Sequence, residues 1–241
     1  MKTVFKFLSS SNKVQSVVKV LPAILMIAFA TGAYAQNTFF PTQAGMTLVY
    51  VQKNAKGNPE GYSRLTIKDV EGSGNNMSIS YVMEILDKNK KPSDPPIEMP
   101  CKVVIKDGVM ILDMSQMFAN MQKTGLKAEI SGMPMELPNN LQPGQSLKDA
   151  DVTMTMDMGI MKMKATIKMT DGKCLAIEDV TVPAGTFTCH KLTQTVTTTI
   201  MGRNSVGRTV SWYAPGIGTV KTESYNDKDK LQNSMELAEK N

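Results

Sequence analysis

Val152-Thr153-Met154-Thr155-Met156-Asp157-Met158, continued after Gly159 and Ile160 by Met161-Lys162-Met163-Lys164-Ala165-Thr166-Ile167-Lys168-Met169, is the stretch that decides the fold class. Apolar and polar residues take turns through nearly all of it. Successive side chains of an extended strand point to opposite faces, so a period of two puts the thioethers on one side and Thr and Lys on the other. A helix would need apolar residues three and four apart instead. One face of this segment is buried and the other is wet, as in an antiparallel sheet with one solvated side. Gly159 reads as a turn or bulge between the two halves.

Working outward, Met77, Ile79, Tyr81, Met83 and Ile85 alternate in the same way with Ser78, Ser80, Val82 and Glu84. Turn signals punctuate such runs: Lys56-Gly57-Asn58-Pro59, Gly72-Ser73-Gly74-Asn75, Asp107-Gly108, Asp171-Gly172 and Pro183-Ala184-Gly185. These dipeptides supply the backbone conformations that hairpins require. Val220 to Tyr225 and Leu231 to Leu237 read as a last hairpin closed by Asn226 to Asp229. The expectation is a mainly β chain of about ten or eleven strands, forming a curved antiparallel sheet or half-barrel.

Two stretches break the alternation. Lys91 to Pro100 is Pro-rich and reads as a loop, because proline cannot donate to a ladder. Over Asp113 to Gln122, Met114, Met117, Phe118 and Met121 recur at helical spacing, with Asp113 or Ser115 as cap, so one short amphipathic helix is expected against the sheet. Gly132 to Gly144 reads as a second long connection, able to cover the open side with that helix. No repeat and no linker divides the chain.

Lys2, Lys6, Lys13 and Lys19 precede an uncharged run from Val20 to Ala30, and then Ala33-Tyr34-Ala35. This is the order of a secretory leader, and the run is shorter than a membrane-spanning helix needs. Cleavage after Ala35 is expected to leave one β-rich domain over residues 36–241, periplasmic or secreted, with no transmembrane anchor and no cysteine at the cut for lipid attachment. Losing the four leader lysines takes the formal net charge from +5 to +1. Only Arg64, Arg203 and Arg208 remain as arginines, without the clustered basic residues that phosphate binding demands, so nucleic acid is set aside as a partner.

The chemistry-bearing residues are few. His190 is the one histidine; it follows Cys189 directly, so on a strand the two diverge and cannot form a nucleophile–base pair. It reads as a surface or edge residue. No nucleophile elbow, Cys-x-x-Cys, His-x-x-x-His or phosphate-cradling glycine loop is present, and the adjacent carboxylates Glu178 and Asp179 diverge as well. No catalytic residue, cofactor or histidine–cysteine metal site is expected. Of Cys101, Cys174 and Cys189, the last two could be bridged across a hairpin in an oxidising compartment; alternatively all three are reduced, buried thiols.

Methionine is the unusual component: 20 residues, of which Met1 and Met26 belong to the leader. Met154, Met156, Met158, Met161 and Met163 gather thioethers on one face. Three readings follow. They fill the core, they line an adaptable cavity for a hydrophobic ligand, or they bind Cu(I), which favours soft thioether ligands.

Val180-Thr181-Val182-Pro183-Ala184-Gly185-Thr186-Phe187, with the later Trp212-Tyr213-Ala214-Pro215-Gly216-Ile217-Gly218-Thr219-Val220-Lys221, resembles a set of bacterial periplasmic proteins variously called TapB-like or domain-of-unknown-function proteins. The resemblance runs from about Thr47 to Leu237 and implies a half-barrel similar to bacterial lipoprotein carriers; it implies no catalytic residues. In physical terms Pro183 fixes a turn, Phe187 anchors the returning strand, and Pro215-Gly216 with Gly218 makes a tight corner beside Trp212. Phe187 and Trp212, at the rim, are candidate ligand contacts. The leading expectation is a non-enzymatic β-rich protein holding a hydrophobic or lipid-like molecule in a Met-rich concave face. The alternatives are an envelope interaction module with a filled core, partnered by another envelope protein, and a Cu(I) binder.

Overall fold

Thirteen strands carry the described chain, in the order β1 Thr47–Asn54, β2 Pro59–Ser73, β3 Asn76–Leu86, β4 Glu98–Lys106, β5 Val109–Asp113, β6 Lys127–Met133, β7 Glu136–Pro138, β8 Ala150–Asp157, β9 Lys162–Val182, β10 Gly185–Ile200, β11 Arg203–Ala214, β12 Gly218–Asn226 and β13 Leu231–Lys240. The computed structural model describes residues 38–92, 94, 96–113, 115, 119, 127–157 and 162–241. All thirteen join one sheet, ordered β6-β8-β9-β10-β11-β12-β13-β1-β2-β3-β4-β5-β7, and every pairing is antiparallel. The half of the reading that rested on period two therefore holds: the protein is mainly β, built on a single antiparallel sheet.

Hairpin chemistry explains most of the register. Ser73 pairs with Asn76 across Gly74-Asn75, Lys106 with Val109 across Asp107-Gly108, and Val182 with Gly185 across Pro183-Ala184. Asp107 and Gly108 have φ of 51° and 75°, the two left-handed residues of a type I′ turn.

Chain connectivity dictates the curl. β6 lies at one edge of the sheet and β7 at the other, yet only Pro134 and Met135 separate them. Three Cα–Cα steps reach at most about 11 Å, so the two edges must approach one another and the sheet bends almost into a tube. The tip of the long β9–β10 hairpin bends as well. Gly185–Cys189 pair with β9 alone, since β10 meets β11 only from His190 onward, and Ala184 N–H donates to Leu237 O of β13 at 3.3 Å. The larger core cluster sits inside this curl, around Leu48, Ile67, Ile79, Val103, Ile105 and Leu237, all nearly inaccessible to water. A smaller one collects Phe39, Leu137, Leu141, Cys174 and Leu192.

Several expectations are corrected. Asp171-Gly172 is no turn: β9 runs through it, with Asp171 at φ 55° and a register shift against Thr193–Thr195, which is a β-bulge. The Pro-rich loop ends before Pro100, which stands in β4 opposite Val82. Proline is tolerated there because β5 begins to pair with β4 only at Lys102, so that among the described residues Pro100 has a strand neighbour on one side alone. Gly132 to Gly144 is not one connection but holds the end of β6 and all of β7. The helix expected over Asp113 to Gln122 falls outside the described residues apart from Asp113, Ser115 and Ala119. So does the Gly159 turn.

Cysteine pairing is also corrected. Cys174 stands opposite Leu192 and Cys189 opposite Glu178, three residues apart along β10, and all three cysteines are free thiols. Cys189 belongs to the larger cluster and Cys174 to the smaller, so the two sulphurs serve separate cores.

Candidate functional site

The concave face of the sheet holds a cavity of about 330 Å³, open to solvent on part of its boundary. Its thioethers come from five separate places: Met83 on β3, Met110 on β5, Met135 in the β6–β7 crossing, Met169 on β9 and Met235 on β13. Alternation explains each strand's contribution, since Met83 stands opposite Leu65, Met110 opposite Ile105 and Met235 opposite Gln52. Only the curl brings these distant strands to one space. Aromatic rings supply much of the rest: Phe39, Phe40, Tyr50, Tyr81 and Tyr213.

Phe39 and Phe40 arrive on the segment before β1, held by the corner between β11 and β12. Gly216 N–H donates to Thr38 O at 2.7 Å. Gly218 lies at φ 92°, and a Cβ there would sit 3.3 Å from Phe39 O, so a side chain at this position would push the segment away. The Ala214-Pro215-Gly216-Ile217-Gly218 motif thus seats the aromatic end of the cavity. Phe39, 1% exposed, packs its ring edge-on against His190 at 4.8 Å and against Tyr213 at 6.2 Å. Phe40 meets Tyr81 at 5.1 Å.

Among the described residues, no charged side chain lines the cavity. The polar side chains among its lining residues are those of Tyr50, Tyr81, Tyr213 and Thr219. Burial, foremost, raises the ionisation of all three phenols above the ordinary tyrosine range, so they are neutral donors and acceptors at any physiological pH. Tyr213 shares hydrogen bonds with Thr219 and Ser211, and Tyr81 with the Cys101 thiol opposite it. His190 is not the surface residue expected from sequence. Half-buried opposite Tyr213, it has its Nδ1 shut away from water without a partner, and burial lowers its pKa below the usual 6.5. Burial likewise raises the thiols of Cys101 and Cys174 and pushes Cys189 up to about 12, so the three sulphurs are poor nucleophiles.

The residues singled out from sequence lie elsewhere. Met154, Met156 and Met163 are half-buried on β8 and β9, with Met156 directly opposite Met163, but none lines the cavity. Met158 and Met161 lie outside the described residues. Phe187 packs on the larger core cluster. Trp212 is 7% exposed; its indole N–H donates to Glu178 Oε1 at 2.8 Å, and the Lys191 and Lys221 ammoniums each stand 5.2 Å from its ring. Neither stands at a rim. Met83 and Met169 were visible in the alternation as inward positions; nothing local distinguished Met110, Met135 or Met235.

Among the described residues, no group of three or more His, Cys, Asp or Glu could hold a metal ion, and no helix is long and apolar enough to cross a membrane. The model of one family, described as DUF3108-like, matches residues 43–237. The chain belongs to the DUF3108-like family. Two solved structures share the DUF3108-like fold seen here, each with a TM-score of 0.67 and each covering 84% of this chain and 98% of its own. One is from Bacteroides fragilis, described as a candidate exported protein with a YmcC-like fold, 21% identical; the other is a candidate lipoprotein from Parabacteroides distasonis, 19% identical. No curated protein matches the chain.

Proposed function

We propose that this DUF3108-like protein is a non-enzymatic, periplasmic binder of a hydrophobic, lipid-like molecule, held in the Met-lined cavity inside the curled sheet. The observation that carries the reading is the cavity itself: about 330 Å³, walled by five thioethers and five aromatic rings, with no charged group among the described residues. Its size falls within the range of small-molecule sites, which are mostly apolar with a few placed polar atoms. Water is a poor filler on walls this apolar. An apolar occupant replaces it at a gain, and methionine adapts its shape to such a guest. The non-enzymatic reading is supported by the chemistry at hand: the phenols of the cavity are neutral, while the raised thiols and His190, packed on Phe39, lie outside its lining. The lysine-led leader supports export, in keeping with the descriptions of the two structural neighbours.

Native mass spectrometry of the protein lacking residues 1–35, purified gently from periplasm, is expected to show adducts of lipid-like mass, and the stripped protein is expected to take up the neutral apolar fluorophore N-phenyl-1-naphthylamine. Met235→Trp, which fills the cavity from β13, is expected to weaken uptake about tenfold or more. Recovery of bare polypeptide, with no uptake of the probe, overturns the reading.

A further inference from the structure

Outside the cavity, the seam of the curled sheet holds a second space of about 320 Å³, between Ile111 and Leu112 of β5 on one side and Ile130 of β6 with Val152 of β8 on the other. Two features tie it to the interior. Leu112 borders both spaces, and it is 41% exposed although it lies on the strand face that carries Met110. The two-residue crossing from β6 to β7 also divides its side chains between them, Pro134 on the outer cleft and Met135 on the inner cavity. Among the described residues the partition is therefore thin: one leucine and one peptide turn.

The strands beside it leave the seam unlaced. β7 pairs with β5 only at Val109–Ile111, so among the described residues Leu112 and Asp113 have no ladder partner on that side, and β6 is the last strand of the sheet beyond β8. Elsewhere a ladder of backbone hydrogen bonds would have to break before anything could pass between strands. At the seam, among the described residues, only side chains have to move, and a leucine rotamer change is fast.

We propose that the β5–β6 seam is the entrance to the cavity and that a guest passes Leu112 to enter it. This rests on the ligand-binding reading above and deepens it. Because the path runs between two strands and past one side chain, the guest is slim in cross-section, an apolar chain or flat ring system rather than a globular molecule. Asp113 and Ser131 border the outer cleft and no described residue lining the interior is charged, so the polar end of an amphiphile stays at the seam while its apolar end goes in.

Stopped-flow uptake of N-phenyl-1-naphthylamine by the stripped protein tests the entrance. Leu112→Trp is expected to slow association and dissociation together by about tenfold, and Leu112→Ala to speed both, since an entrance residue changes the barrier more than the end states. Met235→Trp, on a wall that does not border the cleft, is expected to lower affinity without that paired slowing. Unchanged melting temperatures certify the variants, and the Ala change keeps the test decisive should the Trp variant not fold. Wild-type rates in folded Leu112 variants, with the probe still bound, overturn the entrance alone; failure of the wild type to bind the probe overturns the binding reading and the entrance together.

Discussion

Trp212 shows how one side chain can belong to a core and to a charged row at once. Its ring packs in the larger cluster while its indole N–H holds Glu178, which the Lys191 ammonium also approaches at 3.1 Å. The indole hydrogen bond first, and then Lys191, lower the Glu178 pKa below its ordinary 4.5. The ionised carboxylate is thus favoured by folding. Its contribution is whole above the unfolded value and disappears as pH falls through the lower folded one. Trp212 is the sole tryptophan of the chain, so its emission reports this event directly. A fluorescence titration is expected to show a transition with its midpoint below 4.5, absent in Glu178→Gln; a midpoint at or above that value would refute the coupling. Sequence pointed to Trp212 as an aromatic beside a glycine corner. Its partner on β9, 34 residues earlier, is fixed by strand pairing that no local pattern reports.

Among the elements, the β10–β11 hairpin carries a correctable weakness. Ile200 pairs with Arg203 across Met201-Gly202, and both central residues are left-handed, with φ of 49° and 79°. Methionine resists that conformation, whereas asparagine adopts it readily. Met201 is 61% exposed, so replacing it loses little burial. Met201→Asn is expected to stabilise the protein by about 0.5–1 kcal/mol, read as a rise in the thermal midpoint; a fall would mean that the methionine is held by contacts rather than merely tolerated. The same physics explains what was legible. Asp107-Gly108 announces its turn because both residues suit it, while Met201-Gly202 is silent because half of the pair does not. Asp171-Gly172 misleads, since a bulge and a turn ask for the same left-handed residue and differ only in whether the strand continues beyond it.

For the whole molecule, period two revealed that a buried face exists but not which strands share it. Met83 and Met169 were legible as inward residues of β3 and β9; that they line one space follows from β6 and β7 lying at opposite edges two residues apart, and no periodicity encodes that. The long-range joints carry the stability. Leu237, fully buried, stands opposite Tyr50 while its carbonyl accepts from Ala184 at the hairpin tip, so β9, β13 and β1 converge on it. Leu237→Ala is expected to cost about 2–5 kcal/mol, seen as a lower urea midpoint with an unchanged slope. A cost under half a kilocalorie, roughly that of an ordinary surface change, would place the keystone elsewhere.

β1, first in the chain, lies in the middle of the sheet with β13, the last strand, beside it. A polypeptide emerging N-terminus first can pair β1 through β5 on one arm and β8 through β12 on the other, with the short crossing from β6 to β7 tying the arms at their outer borders. The inner borders, β1 and β12, stay raw until the ten residues of β13 are free to slot between them. The middle of the sheet is therefore the last part of it to knit.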